Sequence, residues 1–226
     1  MRSLSLLLVF GCVLLAGCQP AGSGEPAAVE EAEPAAPAES APAEAAPTQL
    51  FNGENLDGWE IVNDGQFSVE DGAIRVNRGT GWLRSVDTFG DFAMTMEFRF
   101  LEEGANSGIF VRTVAESNDD ANGWPVRGYQ VQCRDAVDDG VLLAHMIAVG
   151  DVEFEHESDA EALREAYLPT GEWQTYEITA EGENLSVWLN GVLITTVTGI
   201  DDPTGHIGIQ GELGLLEFRR VDVQEL

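Results

Sequence analysis

Asn106-Ser107-Gly108-Ile109-Phe110-Val111-Arg112, Gly128-Tyr129-Gln130-Val131-Gln132-Cys133-Arg134 and Gly205-His206-Ile207-Gly208-Ile209-Gln210-Gly211 decide the fold of this chain. Each alternates with a period of two, the signature of a strand with one apolar and one polar row. In the second stretch Tyr129, Val131 and Cys133 oppose Gln130, Gln132 and Arg134. In the third, Ile207 and Ile209 oppose His206, Gly208 and Gln210. Strands of this kind build a sheet with one face in a core and one face open. An open face rich in amides, a guanidinium and an imidazole suits a polyhydroxylated ligand. Amides and guanidinium groups match pairs of hydroxyls, and an aromatic plane matches a sugar ring.

Working outward, similar short runs recur between Gly, Asn and Asp signals. They cover residues 59–62, 67–69, 74–76, 82–86, 92–100 and 108–113. Others cover 129–134, 142–149, 175–180, 185–189, 192–197, 206–210 and 215–223. This density of strands predicts an all-β sandwich. Phe92, Met94, Met96, Phe98 and Phe100 form one row that must lie between sheets, with Thr95, Glu97 and Arg99 facing out. Asn190-Gly191 between two apolar runs is a two-residue hairpin turn. One helix is expected, Asp159 to Tyr167, opened by Ser158 as N-cap with Glu161 three residues on.

The first 48 residues read differently. Arg2 precedes an apolar run from Leu4 to Leu15, and Leu15-Ala16-Gly17-Cys18 follows. This is a lipoprotein signal peptide over 1–17, with Cys18 as the acylated first residue of the mature chain. Gln19, where Asp would favour inner-membrane retention, points to an outer-membrane lipoprotein. Residues 18–48 are an Ala/Pro/Glu tether with too few large apolar groups to fold, leaving 49–226 as one domain. Cys133 is then the sole thiol of the folded part, on an apolar row, and reads as buried and inert. All eleven basic residues are Arg, and the formal net charge is -29. Such a surface is well hydrated and a poor partner for nucleic acid. A saline habitat and plain compositional bias account for it equally.

Several side chains are candidates for chemistry. His206 shares a polar row with Gln210, and an imidazole titrates where proton transfer is useful; a hydrogen-bonded structural histidine is the plain alternative. Arg112 has the parity of Phe110 and suits a substrate oxygen or a developing negative charge, or else an ion pair. Glu97 and Glu177 are mid-strand carboxylates on rows away from the core, either exposed or in a site. Gln130, Gln132 and Gln210 suit hydroxyls, or cross-strand pairing. Trp124, in Asn122-Gly123-Trp124-Pro125, stacks on a sugar or lids the core. Asp151, Glu153, Glu155, His156, Glu157 and Asp159 carry the hard ligands that Ca²⁺ or Mn²⁺ takes, but lack calcium-loop spacing, so a solvated charge run is favoured. His145 and Met146 sit in an apolar run and read as core. A phosphate loop, a dinucleotide fingerprint, a nucleophile elbow and a Glu-x-Asp-x-x-Glu strand are absent from the sequence. Hydrolysis by a close carboxylate pair therefore has no support.

An ordered set of motifs resembles a known family. It comprises Leu50-Phe51-Asn52-Gly53, Leu56-Asp57-Gly58-Trp59, Gly90-Asp91-Phe92 with Glu97-Phe98-Arg99, and Asn106-Ser107-Gly108-Ile109 with Arg112. Gly128-Tyr129-Gln130-Val131-Gln132, Trp173-Gln174-Thr175-Tyr176-Glu177-Ile178, Val187 with Asn190-Gly191, and Gly205-His206-Ile207-Gly208-Ile209-Gln210 complete it. Together, over Leu50 to Leu226, they resemble the bacterial 3-keto-disaccharide hydrolases. Gln174 stands where Asn is commoner, and Gln130 where many members carry Glu. The resemblance implies a concanavalin A-like jelly roll, two curved antiparallel sheets with a concave sugar-binding face. It also implies cleavage of 3-keto-glycosides by C2 deprotonation, β-elimination and hydration. His206 or Glu97 would be the base, and Arg112 or a divalent metal the oxyanion partner. Gln130, Gln132, Gln210, Trp124 and Glu177 would hold the sugar. A non-catalytic carbohydrate-binding lipoprotein using the same face is the alternative, and a structural partner at the outer membrane a third.

Overall fold

The computed structural model describes residues 46–118 and 122–226. The expected signal peptide and Cys18 lie outside them, as does all but the end of the expected tether. The strands begin with β1 (Thr48–Gln49), β2 (Trp59–Val62), β3 (Phe67–Glu70), β4 (Ala73–Asn77) and β5 (Gly81–Phe89). They continue with β6 (Phe92–Phe100), β7 (Asn106–Thr113), β8 (Gly128–Arg134), β9 (Met146–Val149) and β10 (Glu155–Ser158). The helix α1 (Ala160–Ala166) follows, then β11 (Gln174–Glu181), β12 (Asn184–Leu189), β13 (Val192–Thr198), β14 (Gly205–Gly211) and β15 (Leu215–Glu225).

These strands form two antiparallel sheets of a jelly-roll sandwich. The nine-stranded sheet runs β10-β13-β12-β11-β6-β15-β4-β3, with β1 added to β15; the six-stranded sheet runs β2-β5-β14-β7-β8-β9. The row Phe92, Met94, Met96, Phe98 and Phe100 is buried, in one core with Ile109, Val111, Tyr129, Val131, Ile207 and Ile209 of the other sheet. Burying each such side chain contributes about 1.5–3 kcal/mol, so this row outweighs any polar contact in the fold. Tyr176 of β11 crosses the core: its hydroxyl donates to the Gln132 carbonyl at 2.7 Å and accepts from the Ala144 amide at 2.9 Å. That bridge fixes β8 against the opposite sheet. Asn190 (φ 50°) and Gly191 (φ 81°) join β12 to β13 in the left-handed conformations a two-residue hairpin turn requires.

Three local expectations change. The helix is capped by Asp159, whose Oδ1 accepts from the amides of Glu161 and Ala162, both at 3.0 Å. Ser158 is still in β10, with its hydroxyl paired to Thr195 Oγ1 at 2.7 Å. The run 142–149 becomes a strand only from Met146, because Ala144 turns left-handed (φ 64°). Finally, the acidic run contains an edge strand, β10, whose Glu155, His156 and Glu157 stay exposed. Charged exposed side chains on an edge strand discourage pairing with another chain.

Candidate functional site

Pairing in the six-stranded sheet brings the polar rows of β5, β14, β7 and β8 side by side on its outer face. One rung joins Arg84, Gly208, Phe110 and Gln130. The next joins Trp82 to Gln210 and Gly108 to Gln132. The glycines let the neighbours lie flat. A Cβ on Gly108 would sit 2.4 Å from Gln130 Cδ, and one on Gly208 would sit 2.5 Å from Trp82 Cε3. Trp82 and Phe110 pack edge to face, with centroids 5.5 Å apart. Gln210 is buried with its Oε1 unpartnered, and Arg84 Nε on the same face is also buried without a partner. Buried polar atoms are almost always satisfied, so two orphans on one face mark a place completed by water or ligand.

Beyond Gln132 the row continues into a hydrogen-bonded chain. Gln130 Nε2 donates to Gln132 Oε1 at 3.0 Å, and Gln132 Nε2 donates to Asn106 Oδ1 at 3.2 Å. Asn106 Nδ2 then donates to Glu212 Oε2 at 2.5 Å. Burial pushes the Glu212 carboxyl above the ordinary carboxylate range, against the opposing pull of Arg134 and of the Asn106 hydrogen bond. Arg134 shares the polar row of Gln130 and Gln132. Among the described arginines it alone has no carboxylate at ion-pair distance. With 40 acidic residues in the chain, an uncommitted guanidinium is unexpected. It leaves one cation free for an anionic or developing negative oxygen.

The side of this face toward β2 is covered by the connection between β7 and β8. Ser117 Oγ accepts from Trp82 Nε1 at 3.1 Å, and Trp124 Nε1 donates to the Gly211 carbonyl at 3.3 Å. The Gly123 carbonyl accepts from Asn63 Nδ2. Trp124 therefore stands half-buried beside Gln210 and Glu212, where a ring can wall a sugar.

Not all expected site residues meet here. Gln130, Gln132, Gln210 and Trp124 do. His206 lies on the same sheet, paired with Thr88 and Thr113, four residues and roughly 13 Å along β14 from Gln210. Its Nδ1 donates to the Ser85 carbonyl at 2.9 Å, and Nε2 is the ring nitrogen not engaged in that bond. Arg112 is a correction: the strand bulges, φ at Arg112 is 49°, and the side chain leaves the row of Phe110. It is 1% exposed, donating to the carbonyls of Gly90 (3.1 Å), Gly182 (2.6 Å) and Asp202 (3.3 Å) and to Asp91 Oδ1 (2.8 Å). With four of its five N–H donors so committed and the side chain enclosed, this guanidinium is not placed to hold a substrate. Glu97 and Glu177 are also corrections, because both lie on the outer face of the nine-stranded sheet, across the core from Gln130. Glu97 is paired to Arg219 at 2.6 Å, and Glu177 is exposed opposite Trp188.

Cys133 is buried, and burial raises its thiol pKa well above the usual value, with Asp135 adding to the rise. His145 is half-buried rather than core, 6.1 Å from His156 between ring centroids; burial and then His156 lower its pKa. Among the described residues no three His, Cys, Asp or Glu side chains converge to hold a metal ion. A depression of about 790 Å³ opens elsewhere, lined by Val152, Glu153, Phe154, Glu155, His156 and Thr198. None of the buried unpartnered atoms faces it, so nothing there fixes a ligand's orientation. Glu212, Asn106 and Arg134 are the residues sequence reading passed over. The period of two that ties His206, Gly208 and Gln210 runs on to position 212, and that of Phe110 and Gly108 runs back to Asn106.

The family profile described as 3-keto-alpha-glucoside-1,2-lyase-like domain matches residues 46–224. No curated protein sequence matches the chain. Among solved structures, two Parabacteroides distasonis proteins provisionally designated glycosyl hydrolases share the fold. One has a TM-score of 0.60 at 19% identity, over 80% of this chain and 94% of its own. The other has a TM-score of 0.58 at 21% identity, over 80% and 99%. A Bacillus subtilis protein with a galectin-like fold follows, with a TM-score of 0.54 at 12% identity, over 80% and 97%.

Proposed function

Because this chain belongs to the 3-keto-alpha-glucoside-1,2-lyase-like family, a family of carbohydrate-active proteins, we propose that it cleaves 3-keto-glycosides on the outer face of the six-stranded sheet. The observation that carries this reading is a half-buried carboxylate, Glu212, at the end of a row of amides, bonded to Asn106, whose cross-strand partner is the uncommitted guanidinium of Arg134. A ketone at C3 acidifies the hydrogen at C2. Glu212 takes that proton, and the electron pair becomes the C2–C3 enolate, whose oxygen Arg134 faces. Collapse of the enolate forms the C1–C2 double bond as the C1–O bond breaks, and the leaving oxygen takes up a proton. Water then adds across the double bond, OH to C1 and H to C2, giving the free 3-keto sugar. Gln130, Gln132 and Gln210 hold ring hydroxyls, and Trp124 lines the ring.

This assignment moves the base from His206 to Glu212, because only Glu212 lies beside the amides and a free cation. The test is release of free sugar from a 3-keto-disaccharide. Loss of a general base costs about 10²–10⁴-fold in rate, so Glu212→Gln should lose turnover on that scale while binding persists. His206→Ala should keep turnover within about tenfold, under ~1.4 kcal/mol in the barrier, since it removes no group at the reacting atoms. The raised pKa of Glu212 removes the base form at a higher pH than for an ordinary carboxylate, so wild-type turnover should fall early on acidification. The opposite pattern, with His206→Ala inactive and Glu212→Gln active, would return the base to His206. Sugar binding without turnover by the wild type would favour the non-catalytic carbohydrate-binding reading.

The same reading places the domain in the cell envelope, on the strength of Leu15-Ala16-Gly17-Cys18 in the sequence. Cys18→Ser should abolish acyl incorporation and release the protein from membranes. A Cys18→Ser protein that still carries labelled acyl chains would refute the anchor.

A further inference from the structure

The three hydrogen bonds from Gln130 to Glu212 all run the same way, and this has a chemical meaning. A primary amide is two-faced: its nitrogen only donates and its oxygen only accepts. Once one amide in a chain is oriented, its neighbours are too. Here Gln130 gives to Gln132 (3.0 Å), Gln132 gives to Asn106 (3.2 Å), and Asn106 gives to Glu212 Oε2 (2.5 Å). The direction observed ends on an oxygen that accepts, which suits an ionised carboxylate. The reverse direction would end on Asn106 Oδ1 facing Glu212, and Glu212 could meet it only by donating a proton. Packing holds the members in place: Gln130 lies on Gly108, Gln130 and Gln132 are buried, and Tyr176 grips the Gln132 carbonyl.

We propose that the side-chain amides of Gln130, Gln132 and Asn106 are a one-way relay that favours the ionised form of Glu212 and ties its charge state to the residue at position 130. This rests on the assignment of Glu212 as base, and Gln130 acts as a positioning residue through the relay. A carboxylate at 130 can only accept. It turns the Gln132 amide so that nitrogen faces it, which turns Asn106 in its turn and leaves Glu212 facing an oxygen. Glu212 then keeps its proton. The other groups bearing on Glu212 are the Arg134 guanidinium on β8, which favours the ionised form, and its own burial, which opposes it.

The test is a ¹³C carboxyl titration of Glu212 by NMR, alongside the pH–rate profile, in wild type, Gln130→Glu, Gln132→Leu and the double variant. Gln130→Glu should raise the Glu212 midpoint by about one to two pH units, tenfold to a hundredfold in proton affinity, the size of a lost charge-assisted hydrogen bond. The acid limb of the rate profile should move with it. Cutting the chain at Gln132 should cancel most of that shift, because the charge at 130 remains but the path does not. A shift that persists in the double variant would make the effect one of charge through space, and a Glu212 midpoint unmoved by Gln130→Glu would end the relay outright. The NMR midpoint reports on the relay even if no 3-keto-glycoside is turned over, so failure of the relay and failure of the catalytic reading are distinguishable.

Discussion

At the scale of the residue, burial separates side chains that sequence treats alike. Arg112 and Arg134 both lie at or next to the ends of strands with polar rows, and the sequence offers only Arg112 as a substrate-binding candidate. Arg112 is enclosed and spends its donors on three carbonyls and Asp91, tying the turns at Gly90, Gly182 and Asp202 together. Arg134 has no such partners. We therefore expect Arg112→Leu to cost about 3 kcal/mol or more in urea denaturation, because buried acceptors and a carboxylate lose a charged donor together. A stable Arg112→Leu variant with lost sugar affinity would show instead that the guanidinium serves the ligand. Glu212 illustrates the converse. It is one acid among forty, and what distinguishes it is partial burial beside an amide chain.

At the scale of the element, β7 and β14 work as spacers for the side chains of β8 and β5. Gly108 leaves room for Gln130, and Gly208 leaves room for Trp82. The two sites differ in how they respond to a methyl group. At Gly108 the obstacle is the end of a flexible side chain, which can swing away; at Gly208 it is a buried indole and the Leu83 carbonyl at 3.0 Å. Gly108→Ala should thus keep stability within about 1 kcal/mol while displacing Gln130, weakening sugar binding roughly tenfold. Gly208→Ala should cost about 1–3 kcal/mol, the range for overpacking. Thermal melts and titration with a 3-keto-glycoside separate the two, and a Gly108→Ala variant that binds normally would remove Gln130 from the site.

At the scale of the molecule, the net charge of -29 opposes compaction, because like charges are held closer in the folded state. Local ion pairs offset part of this. On the outer face of the nine-stranded sheet, Glu217 binds Arg99 at 2.6 Å and Arg75 at 3.5 Å, and the guanidinium carbons of Arg99 and Arg219 lie 4.6 and 4.1 Å from the Trp173 ring centroid. Surface pairs contribute about 0–1 kcal/mol each and weaken in salt, whereas the general repulsion is relieved by salt. The excess of 40 acids over 11 bases decides which effect wins. The melting temperature should rise as salt is added from low ionic strength. A fall would mean that the arginine pairs govern stability.

Alternation along the chain is enough to specify the sandwich. Strands 59–62 and 92–100 fall where alternation put them, and the Phe92–Phe100 row is the core it was expected to be. Alternation is a backbone property, fixed by the pleat, so residues of one strand carry the whole message. Gln130, Gln132 and Gln210 were legible for the same reason. Which sheet a row belongs to is not a local property, and so Glu97 and Glu177 joined the wrong face until pairing of β6 with β11 and β15 was known. Arg112 was misplaced because a bulge breaks the period within one residue, and bulges arise where two strands must be reconciled. Glu212 and Arg134 were invisible as a pair because their meaning lies in distance, burial and the absence of a counterion. Those are set only when β8 and the end of β14 are brought together across β7, by contacts between residues far apart in the chain.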